Sequence, residues 1–153
     1  MAATKSPYNP GSQEATYWQA RHRLAAATRA LNEKLVSTDI RPKLADALTE
    51  KIEGLTAQLS QAQQVDGLVD MAKRGERGTI DDVMGELVSV GGRSHPCSPE
   101  LLWQETANRI TGSVRFNQTF EGPPGHVHGG WVAGVLDHIM GMTHVRTAHP
   151  GVT

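Results

Sequence analysis

The sequence predicts an α+β protein: a helical first half, then an antiparallel strand hairpin and one long buried helix. Three observations carry this. Apolar residues recur at three- and four-residue steps before about residue 75, and alternate with polar ones after about residue 100. Aromatics are few, and Ala, Leu, Gln and Glu are frequent in the first half, which suits helix more than sheet. Near the end, helical spacing returns in a stretch apolar over most of its circumference.

Residues 1–11 are polar and hold two prolines. They read as a disordered tail, with no apolar core of a secretory signal. Residues 12–64 read as a helical hairpin. Tyr17, Leu24, Thr28, Leu31 and Leu35 form one stripe, with Ser12 as N-cap and Glu14 in the first turn. A second helix starts around Asp39 to Arg41, where Pro42 suits a first turn. Its stripe is Leu44, Leu48, Ile52, Leu55 and Leu59. Residues 65–92 read as a linker with one short helix. Lys73, Arg74 and Arg77 form a solvated charge run there. Thr79 caps the helix, Asp81 and Asp82 favour its first turn, and Gly91-Gly92 ends it.

Residues 93–153 change period. "LLWQETANRITGSVRFNQTF" gives two strands about a turn at Ala107-Asn108-Arg109. Ile110, Gly112, Val114 and Phe116 face one side. "EGPPG" is a loop, and "HGGWVAGVLDHIMGMTHVRTAH" is the long helix, stopped by Pro150 and Gly151. A helix apolar nearly all round needs a sheet to wrap it, and two strands have too little surface for that. Further strands are therefore expected beyond Thr153, with this chain the N-terminal portion of a longer protein.

Fifteen Lys and Arg balance sixteen Asp and Glu, for a net charge of -1. That points to neither nucleic acid nor a strongly charged partner. No run is apolar and long enough for a membrane span. The single cysteine, Cys97, cannot make an internal disulfide and reads as a loop thiol; a cytoplasmic location is expected.

The chemistry concentrates between Gly122 and Gly141. Gly129 and Gly130 start the long helix, where amides without internal partners carry the positive end of the dipole. An oxyanion or phosphate could approach them closely. The loop lacks the Lys-Ser/Thr ending of a P-loop and the spacing of a dinucleotide fingerprint, so carbonyl polarisation is preferred. Asp137 sits two turns into an apolar helix. Burial there would raise its pKa, as suits a general base or nucleophile. Eight residues put it roughly 12 Å along the helix from Gly129. One carbonyl cannot touch both, so a two-fold dimer with antiparallel helices would have to bring them together. Five histidines fall in the last thirty residues: His126, His128, His138, His144 and His149. His138 and His144 face opposite sides of a helix and no further ligands cluster, so no metal is expected. His128 is read as shaping the loop. The others are placed on loop, surface or helix ends.

"FEGPPGHVHGGWVAGVLDHIMGM" closely resembles the hotdog-fold acyl-CoA thioesterases of the PaaI-like group. The shared pattern is a Gly-Pro-Pro-Gly loop, then His-Gly-Gly, then an acidic residue nine positions after the His. His128, Gly129, Gly130 and Asp137 fill those places, and the resemblance covers about Gly91 to Thr153. It implies an incomplete hotdog fold: an antiparallel sheet around the long helix, with active sites between subunits of a homodimer or homotetramer. It implies that the Gly129 N–H polarises the thioester carbonyl of an acyl-CoA. His128 orients the loop. Asp137 from the other subunit attacks the carbonyl or activates water, releasing free acid and coenzyme A without a cofactor. Pro124, Gly125, Gly130 and Trp131 fall in the substrate-binding region, where Trp131 stands in place of a smaller residue and narrows the acyl pocket. The Asn that helps some relatives polarise the carbonyl is absent at Glu121-Gly122. Two other readings exist. One is a truncated, non-catalytic relative that uses its helical hairpin for oligomerisation or partner binding. The other is a hotdog hydratase, whose usual Asp and His motif is not visible.

Overall fold

A computed structural model describes residues 13–74, 77–106 and 109–146. The expected tail, the Ser12 cap, the Ala107-Asn108 turn, His149 and the Pro150-Gly151 stop lie outside those residues. The elements run α1 (Gln13–Ser37), α2 (Pro42–Ser60), α3 (Gly67–Lys73), α4 (Ile80–Leu87), β1 (Glu100–Thr106), β2 (Arg109–Arg115), a 3-10 turn (Gln118–Phe120) and α5 (Gly129–Arg146). The class is α+β, as the change of period predicts.

The side of α1 that is buried is not its leucine stripe. Ala15, Trp18 and Ala25 are buried, while Leu24 is mostly exposed. Ala15 and Trp18 pack with Met71 of α3 and Val83 of α4. His22, Arg29 and Asn32 continue the same face in polar form. Asn32 Nδ2 donates to the Pro96 carbonyl at 3.4 Å, and Arg29 donates to the His95 carbonyl at 2.9 Å. This face lies about 120° round the helix from the leucines at 100° per residue. The reason is Trp18. Its indole fills the space between α3 and α4 and donates to the Arg77 carbonyl at 3.1 Å. One large aromatic with a satisfied N–H outweighs several leucines in choosing a face.

The segment expected as a loose linker is more ordered. Gly67–Lys73 forms α3, because Met71 reaches the core under Trp18. The supposed charge run is engaged there too. Arg74 pairs with Asp70 at 2.8 Å, and the Arg77 guanidinium lies 3.8 Å from the centre of the Tyr17 ring. α4 starts with the capping box its sequence announces: Thr79 accepts from the Asp82 N–H, and Asp82 accepts from the Thr79 N–H. It ends at Leu87, well before Gly91-Gly92. Val88 turns extended as the chain folds back and Ser94 N–H bonds the Glu86 carbonyl at 2.8 Å.

Glu86 is the hub of that fold-back. Its carboxylate is fully buried. It takes hydrogen bonds from Ser94 Oγ at 2.7 Å and from the Arg93 guanidinium, and meets His22 Nε2 at 2.7 Å. A buried carboxylate is tolerable only when partnered in this way. Three stretches of chain (α1, α4 and the 93–94 turn) are thereby tied to one side chain.

β1 and β2 form the antiparallel pair expected, in a register that sets Leu102 opposite Ser113 and Trp103 opposite Gly112. Ile139 of α5 comes within contact distance of the space a side chain at Gly112 would fill. α5 is not buried all round. Trp131, Gly134, Val135, His138, Ile139 and Met142 face inward, whereas Val132, Leu136, Asp137 and Met140 are exposed. A two-stranded ribbon covers one side of a helix only, so the other apolar side stays open to solvent.

Candidate active site at the start of α5

The loop before α5 is a closed, hydrogen-bonded turn. Phe120 anchors it: buried, it meets Phe116 and Trp131 edge to face at 5.5 and 4.9 Å. From there the chain goes out through Glu121 and returns through Val127, paired as an antiparallel bridge. His128 N–H donates to the Phe120 carbonyl at 2.9 Å, and Gly122 N–H donates to the His126 carbonyl at 2.8 Å. The tip turns at Gly125 with φ of 76°, a conformation costly for other residues. The Glu121 carboxylate accepts the Gly125 N–H at 2.6 Å, and His126 Nδ1 meets the Pro124 carbonyl at 2.9 Å. At Gly122 a Cβ would sit 2.8 Å from His128 Cα, so only glycine lets the two arms close. Sequence reading assigned no role to Glu121. Its signal is weak: a carboxylate four residues before the glycine that ends a Pro-Pro-Gly turn.

The closure delivers His128 to the first turn of α5. His128 Nδ1 accepts the Gly130 N–H at 3.1 Å. A ring nitrogen that accepts carries no proton, so the His128 proton sits on Nε2. The Gly130 amide is thereby occupied. The Gly129 N–H makes no hydrogen bond to any described residue, and the space beside Gly129 is open. It is an unengaged donor at the positive end of a helix dipole.

Asp137 is exposed in the single chain, not buried as the apolar helix around it leads one to expect. It lies about 80° round the helix from Gly129, eight residues on, which keeps both on the open face with Val132, Leu136 and Met140. Trp131 points the other way, onto Phe120, and pins the helix start. Pro124 and Gly125 are exposed at the loop tip. His138 is not a surface residue. Its ring lies against Gly91, and burial pushes its pKa below the ordinary 6.5, partly offset by the Asp137 charge. His95 is lowered the same way, by burial and then by Arg29. The side chain of His144 lies outside what the structure describes. Among the described residues no three of His, Cys, Asp and Glu converge. Cys97 is exposed, with its backbone N–H bonded to His95 Nδ1.

An open groove of about 800 Å³ runs on the other side of the loop tip, lined by Arg29 and Glu33 of α1 and by Arg115, Phe120 and His126. No residue of α5 lines it. Among the described residues no helix is long and apolar enough to cross a membrane. The chain matches no protein-family model, no curated protein and no solved structure.

Proposed function

We propose that the chain carries an acyl-CoA thioesterase site of the hotdog kind, with β1 and β2 as two of the strands that flank the α5 helix. What carries the reading is the open face of α5: an unengaged Gly129 amide at its head and the Asp137 carboxylate on the same face, with apolar side chains between. Each group suits half of a thioester hydrolysis. The Gly129 N–H polarises the carbonyl and stabilises the oxyanion as it forms. Asp137 acts as general base or as nucleophile. As base it removes a proton from water, and the water oxygen bonds to the carbonyl carbon. The carbon–sulfur bond then breaks, and the coenzyme A sulfur leaves with that proton. His128 holds the Gly130 amide and so fixes the direction of its neighbour.

About 12 Å of helix separates the two groups. The working site is therefore formed by two subunits, Gly129 of one copy and Asp137 of the other, with their α5 helices antiparallel and the apolar faces covering each other. That burial would also desolvate Asp137.

Release of free thiol from an acyl-CoA tests the reading. Asp137→Ala lowers kcat/KM by about 10² to 10⁴. The side chain is exposed in the single chain, so the helix persists without it, which the circular dichroism spectrum checks. An Asp137→Ala protein that hydrolyses acyl-CoA at the full rate sinks the assignment.

A further inference from the structure

α1 and α2 each hold an apolar stripe that the rest of the chain does not cover. None of the residues of α2 is buried. Leu31, Leu35 and Ile52 are 37–38% exposed, Leu44 is 50% exposed, and Leu24, Leu55 and Leu59 reach 57–62%. That exposed apolar surface is on the order of 500 Å², the size at which such a patch marks an interaction site. The four-residue connection, 38–41, is of the length that joins antiparallel helices, but within the single chain α1 and α2 hardly touch, so each stripe stands open.

The occupant follows from charge and geometry. α1 carries four Arg and Lys against two Glu, and α2 carries two Lys against three carboxylates, so the helices are of opposite net sign. Beside the α2 stripe stand Thr49, Thr56 and Gln58, uncharged, and Lys51, whose long stem can keep its ammonium at the rim of a covered stripe. α1 is seated on α3, α4 and the 93–96 turn through a face about 120° away. Its leucine face is thus turned away from that seat.

We propose that the α1–α2 hairpin pairs with the hairpin of a second copy of this chain, forming a four-helix bundle. With the two-fold axis along the bundle, each α1 lies between its own α2 and the α2 of the other copy. Every neighbouring pair is then antiparallel and of opposite net charge, the arrangement four-helix bundles favour. This contact uses no residue of the α5 face and stands independently of the thioesterase reading.

Sedimentation equilibrium on the full chain tests it, with Leu55→Glu/Leu59→Glu on α2 and Leu136→Glu/Met140→Glu on α5 beside the wild type. The α2 pair halves the mass of the wild-type particle, down to the 16.5 kDa chain if the hairpin is the sole contact. Far-UV circular dichroism checks that the helices persist. Leu55→Ala/Leu59→Ala, which keeps helix propensity, weakens association by roughly a hundredfold. A wild-type protein of single-chain mass up to about 100 µM overturns the proposal. So does a particle whose mass the α2 pair leaves unchanged. If only the α5 pair dissociates it, the contact belongs to the thioesterase dimer instead. Absence of thioesterase activity with a mass halved by the α2 pair overturns the activity and leaves the bundle standing.

Discussion

The body built by α1, α3 and α4 and the unit built by β1, β2 and α5 spend their side chains in opposite ways. The first closes a core of Ala15, Trp18, Met71 and Val83 and even buries a carboxylate, fully partnered. The second has the more apolar helix, yet Val135 is the one buried apolar side chain of its three elements among those described. It leaves Val132, Leu136 and Met140 in water beside an unengaged amide and an acid. The difference teaches where stability and chemistry sit. Substitutions in the first unit should change folding, and substitutions on the open face of the second should change function while barely touching it.

The sharpest way to break that contrast is Trp18→Ala. Removing a buried Trp costs ~3–5 kcal/mol, so chemical denaturation should show the largest loss of stability of any single change named here. A loss below 1 kcal/mol would deny the N-terminal core its role. Next comes Glu86→Ala, which strips Arg93, Ser94 and His22 of a common acceptor and costs about 3 kcal/mol. Glu86→Gln retains part of the hydrogen bonding and should lose less.

A pH effect follows at smaller scale. The folded-state pKa values of His95 and His138 both lie below 6.5, mainly through burial. Protonation therefore favours the unfolded chain. The stability this represents is fully present above pH 6.5 and is lost as pH falls through the lowered values. Tm should drop between pH 7.5 and 5.5, and His138→Gln should flatten part of that drop. At the small end, Leu136→Gln should cost no more than about 0.5 kcal/mol at protein concentrations low enough to keep the chain single. A loss that grows with protein concentration would show the α5 face covered by a second copy.

Much of this layout is legible in the sequence, and the illegible parts share a cause. The periods of α1, α2 and α5, the alternation in β2 and the Thr79–Asp82 cap are local signals, and each produces its element. Which face is buried depends on partners distant in sequence. The leucine stripe of α1 is the stronger local pattern, but Trp18 meets Met71 and Arg77, and that contact decides. Glu86 sits three residues after Val83 on the inward face of α4, a position its charge argues against until His22 and Arg93 are seen around it. Of the candidate site, the loop and the positions of His128, Gly129 and Asp137 at the head of α5 and along it are legible. The openness of Asp137 is not, because helical period cannot say how much sheet will cover a helix.

Two glycines of the loop would answer a mutational library differently. At Gly122 the chain's own backbone leaves no room for a Cβ, whereas at Gly129 a Cβ would meet nothing within 4 Å. A library selected only for soluble, folded protein should therefore fix glycine at 122 and admit alanine at 129. Selecting the same library for thioester cleavage should close 129 as well. The gap between the two selections would measure what an external molecule, rather than the fold, demands of this helix start.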